Sequence, residues 1–135
     1  MIKKATKDDI EILNNFKTKF LIEQLKYENP SLDIIDEIKN FDNDYVIFIA
    51  IKDDKYVGYL QGYKNNESAI IDQIYVLNDY RSLSIGEELV TEFKNFAKQN
   101  NLKNIEINIE NGNDAYFLFE KMGFEITKVL MNLNV

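Results

Sequence analysis

Arg81, Ser82, Ser84 and Gly86 stand together where an apolar run gives way to a helical pattern. One guanidinium, two hydroxyls and one position without Cβ suit a phosphate or pyrophosphate, because the first turn of a helix already presents N–H groups with no intrahelical partner. The element before the cluster, residues 70–77, is rich in β-branched residues and strand-like, with Asp72 and Gln73 as polar interruptions. The element after it repeats Ile85, Leu89, Val90, Phe93, Phe96 and Ala97 at helical spacing. A strand, a loop and an amphipathic helix thus position the cluster. An ordinary strand-to-helix connection with a small-residue cap would use the same residues, so the pattern by itself leaves both readings open.

The rest of the chain narrows the chemistry by what it lacks. With no cysteine and no histidine, it has no thiolate nucleophile, disulfide, Cys/His zinc site or imidazole base, and no metal centre is expected. Proton transfer must then use a carboxylate, tyrosine, lysine or water. A net charge of −7 disfavours nucleic acid and anionic membranes as partners and favours a cationic substrate. Nine Phe, eight Tyr and a 45% hydrophobic fraction in 135 residues predict one packed domain over residues 1–135. No apolar stretch has the length of a membrane span or the form of a leader, so a cytoplasmic protein is expected.

Taken in order, residues 2–5 form a short strand, and Thr6-Lys7-Asp8-Asp9 has the form of a helix N-cap with an acid three residues on. Ile10, Leu13, Phe16, Phe20, Leu21 and Leu25 continue a helical stripe, and after Asn29-Pro30 a second short helix carries Leu32, Ile34, Ile35 and Ile38. Residues 45–51 and 56–63 pair as a hairpin about Lys52-Asp53-Asp54-Lys55, and Lys64-Asn65-Asn66-Glu67 turns into the strand of residues 70–77. Gly58 and Gly62 interrupt the middle strand, as ordinary strand glycines or as points of close approach. Beyond Asn100-Asn101, Ile105, Ile107 and Ile109 alternate with polar residues in a strand parallel to residues 70–77. Ala115, Phe117, Leu118, Lys121 and Met122 predict a short helix ending at Gly123, and residues 124–135 a last strand region, a hairpin bent near Lys128.

Two segments carry a resemblance. Arg81-Ser82-Leu83-Ser84-Ile85-Gly86 resembles the acetyl-CoA loop of the GNAT N-acetyltransferases, Gln/Arg-x-x-Gly-x-Gly/Ala, with Ser84 at the first glycine. Residues 113–124, NDAYFLFEKMGF, resemble the family's second signature, Asn-x-x-Ala-x-x-Leu-Tyr-Glu-Lys-x-Gly-Phe. The likeness covers nearly the whole chain. It implies an α/β GNAT fold: a mixed, mostly antiparallel sheet of six to seven strands with about four helices, its central parallel pair splayed. It also implies direct transfer of an acetyl group from acetyl-CoA to a primary amine of a small molecule or peptide, and a homodimer at the family level. A non-catalytic module that binds CoA is the alternative, prompted by Ser84 and by Phe119 at the signature's tyrosine.

Carried over residue by residue, backbone amides near Ile74, Tyr75 and Val76 would hold the pantetheine arm. The loop residues Arg81, Ser82, Leu83, Ser84, Ile85 and Gly86 would hold the pyrophosphate, and Asn113 would supply the signature's asparagine contact. Tyr116, one helical turn before Phe119, is the candidate acid, against the reading of a half-buried packing residue. Asp72 is the candidate base, with Glu67 and Glu106 offered only by their places near the splayed strands. The connection bearing Tyr27, Glu28, Asp33, Asp36 and Glu37 reads as a solvated face or as an acidic rim that attracts an amine.

Overall fold

The computed structural model describes residues 1–27, 45–81, 83–109 and 115–135. The second short helix and most of the acidic connection, expected within residues 28–44, lie outside them, as do Ser82 and residues 110–114.

Strand β1 (Ile2–Lys4) leads through a 3-10 turn (Lys7–Asp9) into helix α1 (Ile10–Tyr27). The entry is fixed by Asp9, whose buried carboxylate accepts the Thr6 N–H at 2.8 Å, the Lys3 ammonium at 2.9 Å and the Tyr56 hydroxyl at 2.9 Å. Burial pushes its pKa up, but the Thr6, Lys3 and Tyr56 bonds outweigh that and hold it at about 2. The folded carboxyl is therefore more acidic than the unfolded one. Its contribution is present above pH 3.8 and is lost as the pH falls from there through about 2. Asp9→Asn is expected to cost about 2 kcal/mol at neutral pH and to flatten the acid limb of stability between those two values. Urea titrations at a series of pH values would show both.

Strands β2 (Tyr45–Lys52), β3 (Lys55–Asn65) and β4 (Ser68–Val76) form the meander expected from their β-branched and aromatic runs. Asp53 and Asp54, at φ 52° and 59°, make the two-residue turn between β2 and β3, with Lys52 opposite Lys55. Helix α2 (Ile85–Gln99) crosses over to β5 (Asn104–Ile107), which runs parallel to β4, and helix α3 (Ala115–Lys121) follows. The sheet order is β1-β2-β3-β4-β5.

Both faces of the sheet are covered. Val46, Phe48, Ala50, Leu60, Ala69 and Ile71 pack with Leu89, Val90 and Phe93 of α2 and Phe119 of α3. Ile47, Ile49 and Tyr59 pack with Leu13 and Phe16 of α1 on the other side. This is why β2 reads as an unbroken apolar run rather than an alternating one. Gly62 is a point of close approach: a Cβ there would collide with the Phe93 ring and stand 2.7 Å from the Ile70 carbonyl oxygen. The close neighbour is thus the protein's own α2, not a ligand.

Three expectations are corrected. Five strands are present among the described residues, not six to seven, and three α-helices, the remaining expected helix falling outside those residues. Residues 124–135 form no strand. A strand needs a ladder partner, and among the described residues these have none, being exposed from residue 125 onward. The strand over Ile105, Ile107 and Ile109 is also shorter than its alternation, ending at Ile107 because β4 turns away there.

Candidate active site

The departure of β4 has a local cause. Gly62 pairs with Ile71 and Gln61 with Gln73, so Asp72 is an extra residue in β4, a β-bulge. The ladder between β4 and β5 ends at Ile71 opposite Ile107, immediately before it. From Asp72 to Val76, the edge of β4 that would face β5 carries no partner strand among the described residues. Leu77 donates its N–H to the Val57 carbonyl at 2.8 Å. Backbone groups alternate in direction along a strand, so the Tyr75 N–H also turns toward β3 while those of Ile74 and Val76 face the opening. Their side chains join the core below α2. The three expected amides therefore divide, two to the opening and one to the sheet.

The bulge also gathers a polar cluster on the α1 face. Lys17, buried among apolar neighbours, donates to Gln61 Oε1 at 2.7 Å, and Gln61 Nε2 donates to Asp72 Oδ2 at 3.1 Å. The Lys17 ammonium also lies 5.2 Å from the centre of the Tyr59 ring, and the Tyr59 hydroxyl donates to Gln73 at 2.8 Å. Burial first, then the Asp72 and Tyr75 charges, push the Tyr59 phenol far up, so it keeps its proton. Asp72 itself is exposed. It is a carboxylate held from below by a buried amide and open to solvent above.

At the other end of the opening lies the loop. Arg81 donates Nε–H to the Val76 carbonyl at 3.0 Å and sets its guanidinium 5.1 Å from the centre of the Tyr75 ring, on an exposed side chain. Leu83 is exposed and Ile85 is buried, so Ile85 offers the loop only its backbone. Ser84 caps α2 at φ 63°, the left-handed region that the absent glycine would occupy without strain. Ser84→Gly is therefore expected to raise stability by about 1 kcal/mol, readable as an upward shift in Tm, with no loss of the fold.

Gly86 faces inward. A Cβ there would stand 3.0 Å from Leu118 Cδ2, so the missing side chain lets α2 lie against α3. A salt bridge of 2.6 Å from Lys121 to Glu87 ties the same two helices. Gly123, at φ 94°, ends α3 with the Phe124 N–H returning to the Phe119 carbonyl at 2.9 Å, and the two rings meet edge to face at 5.1 Å. The arginine-bearing loop and the second motif thus form one packed unit.

Two candidate residues fare differently. Phe119 is buried in the core and has no proton to offer. Tyr116 is exposed on α3, and its hydroxyl donates to Glu120 at 2.7 Å, a bond that raises its pKa. Asn113 and Ser82 lie outside the described residues. Glu67 pairs with Lys103 at 3.0 Å on the surface, and Glu106 accepts from Asn104 at 3.3 Å. A concavity of about 450 Å³ beside α2 is lined by Met1, Ile2, Ser84, Thr91 and the carboxylates of Glu87, Glu88 and Glu92.

Sequence reading missed Lys17 and Gln61. The signal was available: Lys17 stands four residues after Leu13 on the apolar stripe of α1, where a cation must have a partner below the surface.

Comparison with known proteins decides the family. The sequence pattern described as "Acetyltransferase (GNAT) family" matches residues 10–124. The chain belongs to the GNAT acetyltransferase family. It is 32% identical over 87 residues to the Bacillus subtilis protein named "Uncharacterized N-acetyltransferase YhfO", and the match spans 59% of this chain and 58% of that one. Among solved structures, the aminoglycoside N-acetyltransferase AAC(6')-Iy in complex with CoA superposes with a TM-score of 0.73 at 14% identity, covering 100% of this chain and 98% of that one. An aminoglycoside acetyltransferase from an uncultured soil metagenomic sample, in complex with sisomicin, gives 0.70 at 17%, covering 100% and 95%. A transcriptional regulator from Bacillus halodurans gives 0.71 at 21%, covering 100% and 99%. At such identities these likenesses speak for the GNAT fold. No described helix is long and apolar enough to cross a membrane.

Proposed function

We propose that this GNAT domain moves an acetyl group from acetyl-CoA directly to a primary amine of a small molecule or peptide. The observation that carries the reading is the edge of β4 from Asp72 to Val76, which no described strand pairs and which ends at the loop bearing Arg81. Acetyl-CoA supplies an activated acyl carbon and a thiolate leaving group. The Ile74 and Val76 N–H groups suit the amides of its pantetheine arm as a strand edge suits any peptide-like partner. The exposed guanidinium of Arg81, with the N–H groups opening α2, suits its pyrophosphate.

On the acceptor side, the amine must be neutral to form its bond to the acyl carbon as the carbon–sulfur bond breaks. Asp72 is the carboxylate placed to take the ammonium proton, directly or through one water. The thiolate takes a proton from Tyr116 or from solvent. Tyr116→Phe separates these: a tenfold fall in kcat identifies the phenol, and an unchanged value identifies water. Small basic amines fit the net charge of −7, and two structural relatives named as aminoglycoside acetyltransferases support that class of acceptor.

The test is calorimetric titration with acetyl-CoA, followed by thiol release across a panel of amines in the same sample. Binding with amine-dependent release is expected. A second reading, a module that binds CoA without turnover, draws on Phe119 in the core and Ser84 in a left-handed conformation; it requires binding with no release on any amine. Absence of binding would overturn both.

A further inference from the structure

Lys17 is a charge placed where burying one is costly. It is 3% exposed, on the face of α1 that packs against the sheet with Leu13 and Phe16. A lysine ammonium carries three donors and no acceptor, so below the surface it needs oxygen atoms or aromatic faces. Among its contacts are Gln61 Oε1 at 2.7 Å and the Tyr59 ring, whose centre lies 5.2 Å away.

Gln61 is 8% exposed and neutral, so it does not cancel that charge but passes its influence on. A side-chain amide has an acceptor end and a donor end. With the acceptor end held by an ammonium, the NH2 group points the other way, and there it donates to Asp72 Oδ2 at 3.1 Å. The reverse orientation would set the NH2 group against the ammonium and the amide oxygen against the carboxylate, so both neighbours select the same one. The ammonium also polarises the amide, which strengthens the bond at its far end. Register brings the three together: Gln61 lies in β3 with β2 and β4 on either side, and Asp72 is the extra residue of the bulge beside it. The consequence falls on the second carboxylate oxygen. Asp72 is exposed, and its Oδ1 accepts no hydrogen bond from any described residue.

We propose that Lys17 is a positioning residue for acetyl transfer, acting through Gln61 to hold Asp72 by Oδ2 and leave Oδ1 for the amine. The inference rests on the acetyl-transfer reading, in which Asp72 takes the proton of the amine. A lone exposed carboxylate on a bulge would sample several rotamers, whereas a base must lie within hydrogen-bond reach of the proton it removes. Tying one oxygen to a buried amide, itself tied to a helix, removes that freedom. Arg81 and the start of α2 lie at the other end of the opening, so the cofactor side stays untouched. The effect of Lys17 is therefore on rate and not on acetyl-CoA affinity.

Lys17→Met keeps an apolar stem and removes the donors. It should lower kcat about tenfold with an unchanged KM for acetyl-CoA. In chains that already carry Gln61→Leu or Asp72→Asn, the same substitution should change kcat by about twofold or less, because the path it acts through is gone. A full fall repeated in both backgrounds would make Lys17 a residue of the core alone and overturn the proposal, as would an unchanged kcat in the single variant. A second measurement needs no turnover. Nitrogen relaxation in the unmodified protein should show the Gln61 side-chain amide as ordered as the backbone of β3, while the exposed Gln99 amide in the same spectrum moves freely. That order should be lost in Lys17→Met, and its persistence in the folded variant would overturn the proposal. A Gln61 amide as mobile as that of Gln99 in the unmodified protein would overturn it even if Lys17→Met failed to fold. If no amine elicits thiol release, the acetyl-transfer reading falls, while the relaxation data still decide the link from Lys17 to Gln61.

Discussion

Gly62→Val is expected to lower stability by about 3 kcal/mol or more, a large part of what holds a domain of this size together. The Phe93 ring occupies the space a side chain would need, and the Ile70 carbonyl oxygen, 2.7 Å from the missing Cβ, belongs to backbone that cannot rotate away. Either α2 lifts off the sheet or β4 shifts from β3, and each would disturb the core that includes Leu60, Ile71, Leu89 and Phe93. A urea midpoint far below that of the wild type would show it. The cause can be isolated, because Phe93→Leu frees part of the space: Gly62→Ala should cost less in that background than alone. Equal costs in both would place the strain at the Ile70 carbonyl instead.

Asp72→Asn is expected to lower kcat about a hundredfold or more, with acetyl-CoA affinity and stability close to wild type. Asparagine keeps the size of the side chain and an oxygen for the Gln61 amide, now 3.1 Å from Asp72, so the cluster with Lys17 survives. What is lost is the capacity to take a proton from the amine. Raising the pH should restore part of the rate, because amine already neutral needs no base. A fall in kcat that no pH relieves would instead mark Asp72 as a group that orients the acceptor. Gln61→Leu is the companion: it leaves the carboxylate but cuts the link to Lys17, and a smaller loss of rate is expected.

Much of this architecture was legible because each part is stated locally. The helical spacing of Ile85, Leu89, Val90 and Phe93 predicted α2, and the alternation after Asn100-Asn101 predicted a strand parallel to β4; both are present. The loop at Arg81 was visible from residue types alone. What stayed hidden depends on register and on distant partners. Whether Asp72 faces solvent or core turns on one unpaired residue, which no periodicity reveals. Gly86 has Leu118 beside it, a neighbour that sequence cannot place there. And residues 124–135 have the composition of a strand, but composition does not supply a ladder partner, and none of the described residues gives them one.

The bulge at Asp72 has a consequence for how such a domain changes over generations. Ile71 and Ile74 both face α2, while Gln73 faces α1, so deleting the single codon for Asp72 would leave every downstream side chain on its present face. The shortened β4 would pair without interruption with β3 and could continue along β5. Such a protein would have an unbroken β4 and no opening, so the opening is held in the spacing of the chain rather than in any one side chain.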